Sequence, residues 1–299
     1  MSGRGLAVRR KGGAGKGLVV LLGVAGASLS AVFVRWSTAP SLILVLYRVG
    51  LASLLLAPAM VSRRAELRDL PRREALLCLV SGAFLGLHFA AYFESLRFIS
   101  IASSVVLVDT EVFFVALGGA VLLGQRLPRR AWPAILLTFA GSAAVALGDS
   151  AAGGGALRGD LLALAGAMCM AVYTVLGAVC RRKLSTTVYT FFVYLAATGT
   201  VLLIALATGL PLAGYGAVNG LTALGLAVFC TLLGHSVFSW GLKYLPAAFV
   251  SAVRLLEPVL AAGWGLLLFG ERPGLAAVLG GAAVVAGIAL YSRAAGKET

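Results

Sequence analysis

The chain has 299 residues, 60% hydrophobic and 12% charged, with a formal net charge of +14. A soluble domain carries roughly twice that share of charged side chains, so a soluble fold is excluded, and so is the two-domain division that length alone suggests. The basic excess fits an anionic inner leaflet rather than nucleic acid, because no basic domain lies outside the apolar segments.

Residues 1–16 carry Arg4, Arg9, Arg10, Lys11 and Lys16 and read as a cytoplasmic basic segment. They resemble the charged region of a signal peptide. The apolar run that follows continues past the small residues at 25–27 to Val34, so a retained first helix is expected. Apolar segments of about 18–25 residues then recur along the chain, each long enough to span a bilayer. An all-α integral membrane fold of ten transmembrane helices is expected, over 17–35, 42–60, 75–95, 101–123, 131–148, 160–180, 188–207, 217–240, 247–269 and 273–292. Short connections such as RRAELRDLPRR, GQRLPRR and RRKLSTT hold most of the charges. Trp36, Trp132 and Tyr291 fall near helix ends, where interfacial rings belong.

Charge sets the expected orientation. With the N-terminus cytoplasmic, nineteen of the 25 Lys and Arg lie on the inner side. Arg35, Arg97, Arg158 and Arg272 lie on the outer side, and Arg48 and Arg254 remain within helices. This bias places both termini inside, in a bacterial inner membrane.

A shift of 146 residues lays 95–127 on 241–273 without a gap. Arg97 meets Lys243, Phe98 meets Tyr244, Glu111 meets Glu257 and Arg126 meets Arg272. Each half then has five helices, an odd number, so the halves insert in opposite orientations. Two inverted five-helix repeats are expected, 17–148 and 160–293, with a periplasmic linker at 149–159 and a cytoplasmic tail at 294–299. Inverted repeats are a signature of secondary transporters, with the substrate site near the midplane.

The segments GASLSAVFVRW, LYRVGLASLLLAP, SLRFISIASSVVL and LLEPVLAAGWGLLLFGERPG resemble those of EamA-type members of the drug/metabolite transporter superfamily, over about residues 17 to 293. The resemblance implies a central cavity lined mainly by helices 3, 4, 8 and 9, with helices 1 and 6 contributing. It also implies export of small metabolites, amino acids among them, or of toxic compounds. The family carries a proline after the position of Glu111, as Pro258 follows Glu257, but here Val112 stands instead. A kink is therefore expected in helix 9 near Leu256 and a straight helix 4.

A charge at the bilayer centre costs about 2.5–3.5 kcal/mol on insertion scales, so membrane carboxylates face the bundle. Glu94 lies three residues from Arg97 and reads as an end-of-helix pair. Asp109 and Glu111 are about 200° apart around a helix and point different ways. Glu111 and Glu257 are equivalent in the repeat and read as coupling or structural carboxylates. Asp109 falls on Leu255 and breaks the symmetry, as a site for an asymmetric ligand requires. Asp109 and Arg254 are therefore the candidate contacts for the ammonium and carboxylate of a zwitterionic solute, and Arg48 is a buried charge expected to meet a carboxylate. His88, Tyr92, His235 and Trp240 are further candidate cavity residues. Gly82 and Gly86 form a GxxxG pair suited to close helix contact.

Cys78, Cys169, Cys180 and Cys230 lie in or beside apolar segments without CxxC spacing, so neither a disulfide framework nor a metal or other cofactor is expected. An intramembrane enzyme would need a nucleophile–base or metal set, and no HExxH or GxSxG occurs. A channel or structural membrane protein is the other alternative. Channels generally rely on symmetric oligomers, whereas this chain has its own internal two-fold. The expectation is a secondary transporter, probed best as an exporter of an amino-acid-like or drug-like solute, acting as a monomer or homodimer. No nucleotide-binding loop is present, and proton antiport and facilitated diffusion both fit the sequence.

Overall fold

The computed structural model describes residues 13–115, 117, 132–150, 155–244 and 256–295. Among these, every regular element is helical. They are α1 (Gly13–Ser28), α2 (Ser30–Trp36), α3 (Ser41–Val61), α4 (Arg64–Arg68), α5 (Arg72–Ser95), α6 (Ile101–Asp109), α7 (Trp132–Ser150), α8 (Ala156–Cys180) and α9 (Thr186–Ala207). Then come α10 (Gly216–Gly225), a π-helical segment Leu226–His235, α11 (Ser236–Tyr244), α12 (Glu257–Phe269) and α13 (Leu275–Ala295).

Six stretches are long and apolar enough to cross a bilayer: Leu18–Trp36, Ser41–Val61, Arg72–Ser95, Ala156–Cys180, Thr186–Ala207 and Gly216–Gly241. Shorter apolar helices cover Trp132–Val145, Glu257–Phe269 and Leu275–Gly287. The end of the expected fourth helix and the start of the ninth lie outside the described residues.

Helix ends follow local chemistry. Ser100 and Ser185 cap α6 and α9, their hydroxyls accepting from the amides of Ser103 and Val188. Gly270, at φ 66°, closes α12 in the left-handed conformation that glycine adopts without steric cost. The Glu271 amide bonds back to the Gly265 carbonyl at 3.1 Å, and the turn delivers the Glu271 side chain to the end of the bundle.

The straight fourth helix expected from Val112 is not observed. The helix is interrupted at Thr110 and resumes at 111–115. The Thr110 hydroxyl donates to the Leu107 carbonyl at 2.6 Å. The amides of Thr110 and Phe113 bond three residues back, to Leu107 at 3.3 Å and Thr110 at 2.9 Å. A threonine hydroxyl thus tightens the turn two residues before Val112. Pro258 sits in the first turn of α12, and the segment before Leu256, where the second kink was expected, lies outside the described residues.

The bundle is inside-out relative to a soluble protein. Leu54, Leu136, Leu203, Leu267 and Leu275 point outward and are largely exposed, while Arg48, Glu74, His88, Asp109, Glu111 and Asp160 are buried. Packing partners come in exchanged pairs. The most extensive contacts are α7 on α13, α5 on α8 and α9, α3 on α9, and α1 on the Leu226–His235 segment, with α6 on α12.

Lipid tails are as apolar as leucine, so close backbone approach at small residues replaces the hydrophobic drive between helices. A Cβ on Gly141 would lie 2.6 Å from the Gly280 carbonyl oxygen, and a Cβ on Gly280 the same distance from that of Gly141. A Cβ on Gly82 would lie 2.3 Å from the Val193 oxygen, and one on Gly86 3.1 Å from that of Ala197. The GAFLG pair thus shares the face of α5 that meets α9. Gly82→Leu should lower unfolding free energy by about 1–3 kcal/mol through overpacking. Gly199→Ala, with nothing within 4 Å of its new Cβ, should be neutral or stabilise by up to ~1 kcal/mol. Denaturant unfolding of the purified variants checks both.

Candidate functional site

A central cavity of about 30 Å³ collects the charged and aromatic side chains of six helices. Its polar wall comprises Ser30, Arg48, His88, Asp109, His235 and Glu257, and Phe89, Tyr92, Met170 and Phe238 form much of the rest. Sequence candidates from both halves therefore meet at one place: Arg48 from α3, His88 and Tyr92 from α5, Asp109 from α6, His235 from the π-helical segment and Glu257 from α12. Glu111 is buried at 2% exposure but lies off this lining. That follows from its position two residues beyond Asp109, on another side of the helix. Trp240 is half-buried and also off the lining. Arg254 lies outside the described residues.

Arg48 is the most deeply held of these groups, with 1% of its surface exposed. Its Nε donates to Thr231 Oγ1 at 2.7 Å and its Nη1 to Ser30 Oγ at 3.1 Å. The guanidinium carbon lies 3.8 Å from the Phe89 ring centroid and 5.4 Å from that of Phe93. Hydroxyls and aromatic faces take these contacts, and among the described residues no carboxylate lies within ion-pair distance of Arg48, contrary to expectation. Thr231 donates its own proton to the Leu226 carbonyl, five residues back, at 3.1 Å. That leaves the hydroxyl lone pairs for Arg48. Tyr194 braces the same segment, donating to the Thr231 carbonyl at 3.3 Å and lying 3.0 Å from Ser236 Oγ.

His88 Nδ1 lies 3.0 Å from the Gly166 carbonyl, an acceptor only, so this nitrogen carries a proton. The rings of His88 and His235 are 6.5 Å apart, and His88 stacks on Tyr92 at 6.1 Å.

Both ends of the bundle are tied. At one, Arg35 pairs with Glu271 at 3.2 Å and donates to the Ile99 carbonyl at 2.9 Å. The second Glu271 oxygen accepts from the Ile101 amide at 3.0 Å, placing a negative charge at the N-terminus of α6. Asn219 Oδ1 accepts from the Ser37 hydroxyl and from the Thr38 amide at 2.8 and 2.9 Å. The expected Glu94–Arg97 pair is present at 3.5 Å. At the other end Lys183 pairs with Glu74, and the Ser185 amide donates to Glu66 at 2.6 Å. Arg181 donates to the Ser239 and Leu184 carbonyls and to Thr186 Oγ1. Glu74 and Arg181, which stand beside or within short charged connections in the sequence, are both buried.

A larger cavity, about 200 Å³, lies against α7 and is walled by Phe113, Phe114 and Phe139. Its hydroxyls, on Thr110, Thr138 and Ser142, bond to carbonyls of their own helices. Its described lining carries no charged side chain, in contrast to the smaller central cavity. Of the end ties, Asn219→Ala leaves the Thr38 amide without its acceptor and should cost about 1–3 kcal/mol. Asn219→Asp, which keeps the acceptor, should recover part of it, measured by thermal unfolding.

The chain matches the EamA-like transporter family over residues 16–147 and again over 157–293. It is 26% identical over 264 residues to the pseudopaline exporter CntI of Pseudomonas aeruginosa, covering 86% of this chain and 88% of that protein. It is 27% identical over 252 residues to an uncharacterized transporter of Archaeoglobus fulgidus, covering 83% and 86%. A solved crystal structure at 20% identity superposes with a TM-score of 0.67 over 95% of this chain and 99% of its own, which shows a shared fold. With apolar helices of spanning length around a buried polar centre, the chain belongs to the EamA-like transporter family and is a multi-pass membrane transporter rather than an enzyme.

Proposed function

We propose that this protein is a secondary transporter that exports a small amphoteric metabolite by alternating access across a bacterial inner membrane. The observation that carries this reading is the central cavity, where a fixed cation, two carboxylates and two imidazoles are gathered from both halves of the sequence. Such a wall favours a polar solute bearing both charges over an apolar drug. Asp109 takes the ammonium group, and Arg254 is a further cationic contact. Glu257 and Glu111 serve coupling or helix packing. At about 30 Å³ the cavity has room for about one or two waters, so a metabolite requires the surrounding helices to part.

Ten helices in two inverted five-helix repeats, 17–148 and 160–293, account for several features. Adding 146 to the bounds of Ser41–Val61 gives 187–207, beside the observed Thr186–Ala207. The exchanged packing pairs and the double family match support the same reading. The positive-inside bias puts both termini in the cytoplasm, the Arg35–Glu271 end outside and the Lys183–Glu74 end inside. The name of the Pseudomonas relative supports export. One chain contains both repeats, so a monomer completes the pathway.

Saturable counterflow of an amino-acid-type solute in proteoliposomes is the expected result, and linear, non-saturating flux would indicate a channel instead. Asp109→Asn and Arg254→Met should each reduce counterflow by about tenfold or more, the scale of one lost charged hydrogen bond. Wild-type rates in both variants, at equal folding, would remove these assignments. An imposed pH gradient should drive uptake into vesicles if Glu257 couples protons, and Glu257→Gln should abolish that drive.

A further inference from the structure

Arg48 has more hydrogen-bonding capacity than the protein uses. A guanidinium has five N–H donors in a planar fork. Nε is spent on Thr231 and one Nη1 hydrogen on Ser30. Nη2 donates to none of the described residues, although Arg48 is 1% exposed and forms part of the cavity wall. Nη2 is not among the sealed side-chain atoms of the described residues that lack a partner, so it is the part of the group that opens onto the cavity, where a solute can meet it. One face of the group also rests on the Phe89 ring at 3.8 Å, which fixes its plane.

We propose that Arg48 is the anchor for a substrate carboxylate, and that Thr231 is its positioning residue. This rests on the transporter reading above and deepens it by naming the substrate class: small amphoteric carboxylic acids. A carboxylate matches the free edge of a guanidinium fork. A simple anion would also meet Asp109 and Glu257 on the same wall. A solute carrying an ammonium group beside its carboxylate satisfies both signs. Thr231 makes the site through the π-helical backbone. The widened turn carries its hydroxyl to the Leu226 carbonyl at 3.1 Å and turns the lone pairs to Arg48 Nε. Ser30, from the first apolar stretch, holds the second nitrogen, so the fork is oriented before substrate arrives.

The test uses the purified full-length protein and matched solutes: leucine with leucinamide, phenylalanine with phenylalaninamide and phenethylamine, histidine with histamine. Thermal stabilisation reports binding to the folded state. At least one acid should stabilise the wild type, with an apparent affinity about tenfold or more above that of its amide or amine. Arg48→Gln should bring that ratio close to unity, and Arg48→Lys should retain part of it. Thr231→Val should lower the ratio and Thr231→Ser restore it, a pattern that loss of packing alone does not produce. The threonine pair carries the test if Arg48→Gln fails to fold. Equal binding of acids and amides, an unchanged ratio in Thr231→Val, or stabilisation by no acid at all would overturn the proposal. Saturable counterflow of an amide or amine under those outcomes would leave the transporter reading standing, whereas its absence for every solute would remove both.

Discussion

A guanidinium keeps its proton in a protein, so a membrane bundle that contains one must solvate it. Arg48 sets that demand here. Its solvation draws Ser30 from α2, Thr231 from the π-helical segment and two aromatic faces from α5 to one point. Tyr194 on α9 then secures the segment that carries Thr231. The π-helical stretch has a physical reason in this arrangement. It brings the Thr231 hydroxyl onto the Leu226 carbonyl, and the same ten residues end at His235 on the cavity wall.

Away from that centre the bundle packs largely on small and apolar residues, with buried polar contacts such as Ser81 with Tyr189 and Ser95 with Ser104. Its helices meet at glycines whose missing side chains let carbonyl oxygens approach within van der Waals distance. Polar ties return at the ends, where water competes. There they fasten connections rather than helix faces: Asn219 on residues 37–39, Glu271 on the start of α6, Glu74 and Glu66 on residues 183–185.

Much of the polar centre was legible in the sequence for one physical reason. A charged or imidazole side chain in an apolar run is costly in lipid, so Arg48, His88, Asp109, His235 and Glu257 had to face inward. Inward on helices of one bundle means near one another. Thr231 and Ser30 carried no such signal, because a lone hydroxyl satisfies itself on its own helix and occurs anywhere in such segments. The break at Thr110 was hidden for the same reason, and attention to the missing proline pointed the other way. Trp240 had no directional cue, since an aromatic ring suits lipid, core and cavity alike. The burial of Glu74 and Arg181 was not legible, because it depends on contacts between distant connections, which local composition does not encode. The glycines of GAFLG were visible as a pattern, but only the geometry shows that Val193 and Ala197 meet them.

The exchanged packing has a mechanical consequence. A boundary drawn in the sequence between residues 148 and 160 is not a boundary in space. The main partners of α5 are α8 and α9, those of α3 include α9, the main partner of α1 is the Leu226–His235 segment, and α7 lies along α13. Each of these contacts joins one side of the sequence boundary to the other, so the family-matched segments 16–147 and 157–293 interlock, and separating them would break these interfaces. Two of the mixed pairs are α5 with α8 and α1 with the Leu226–His235 segment. Arg48, on α3, stands on the cavity wall to which both pairs contribute.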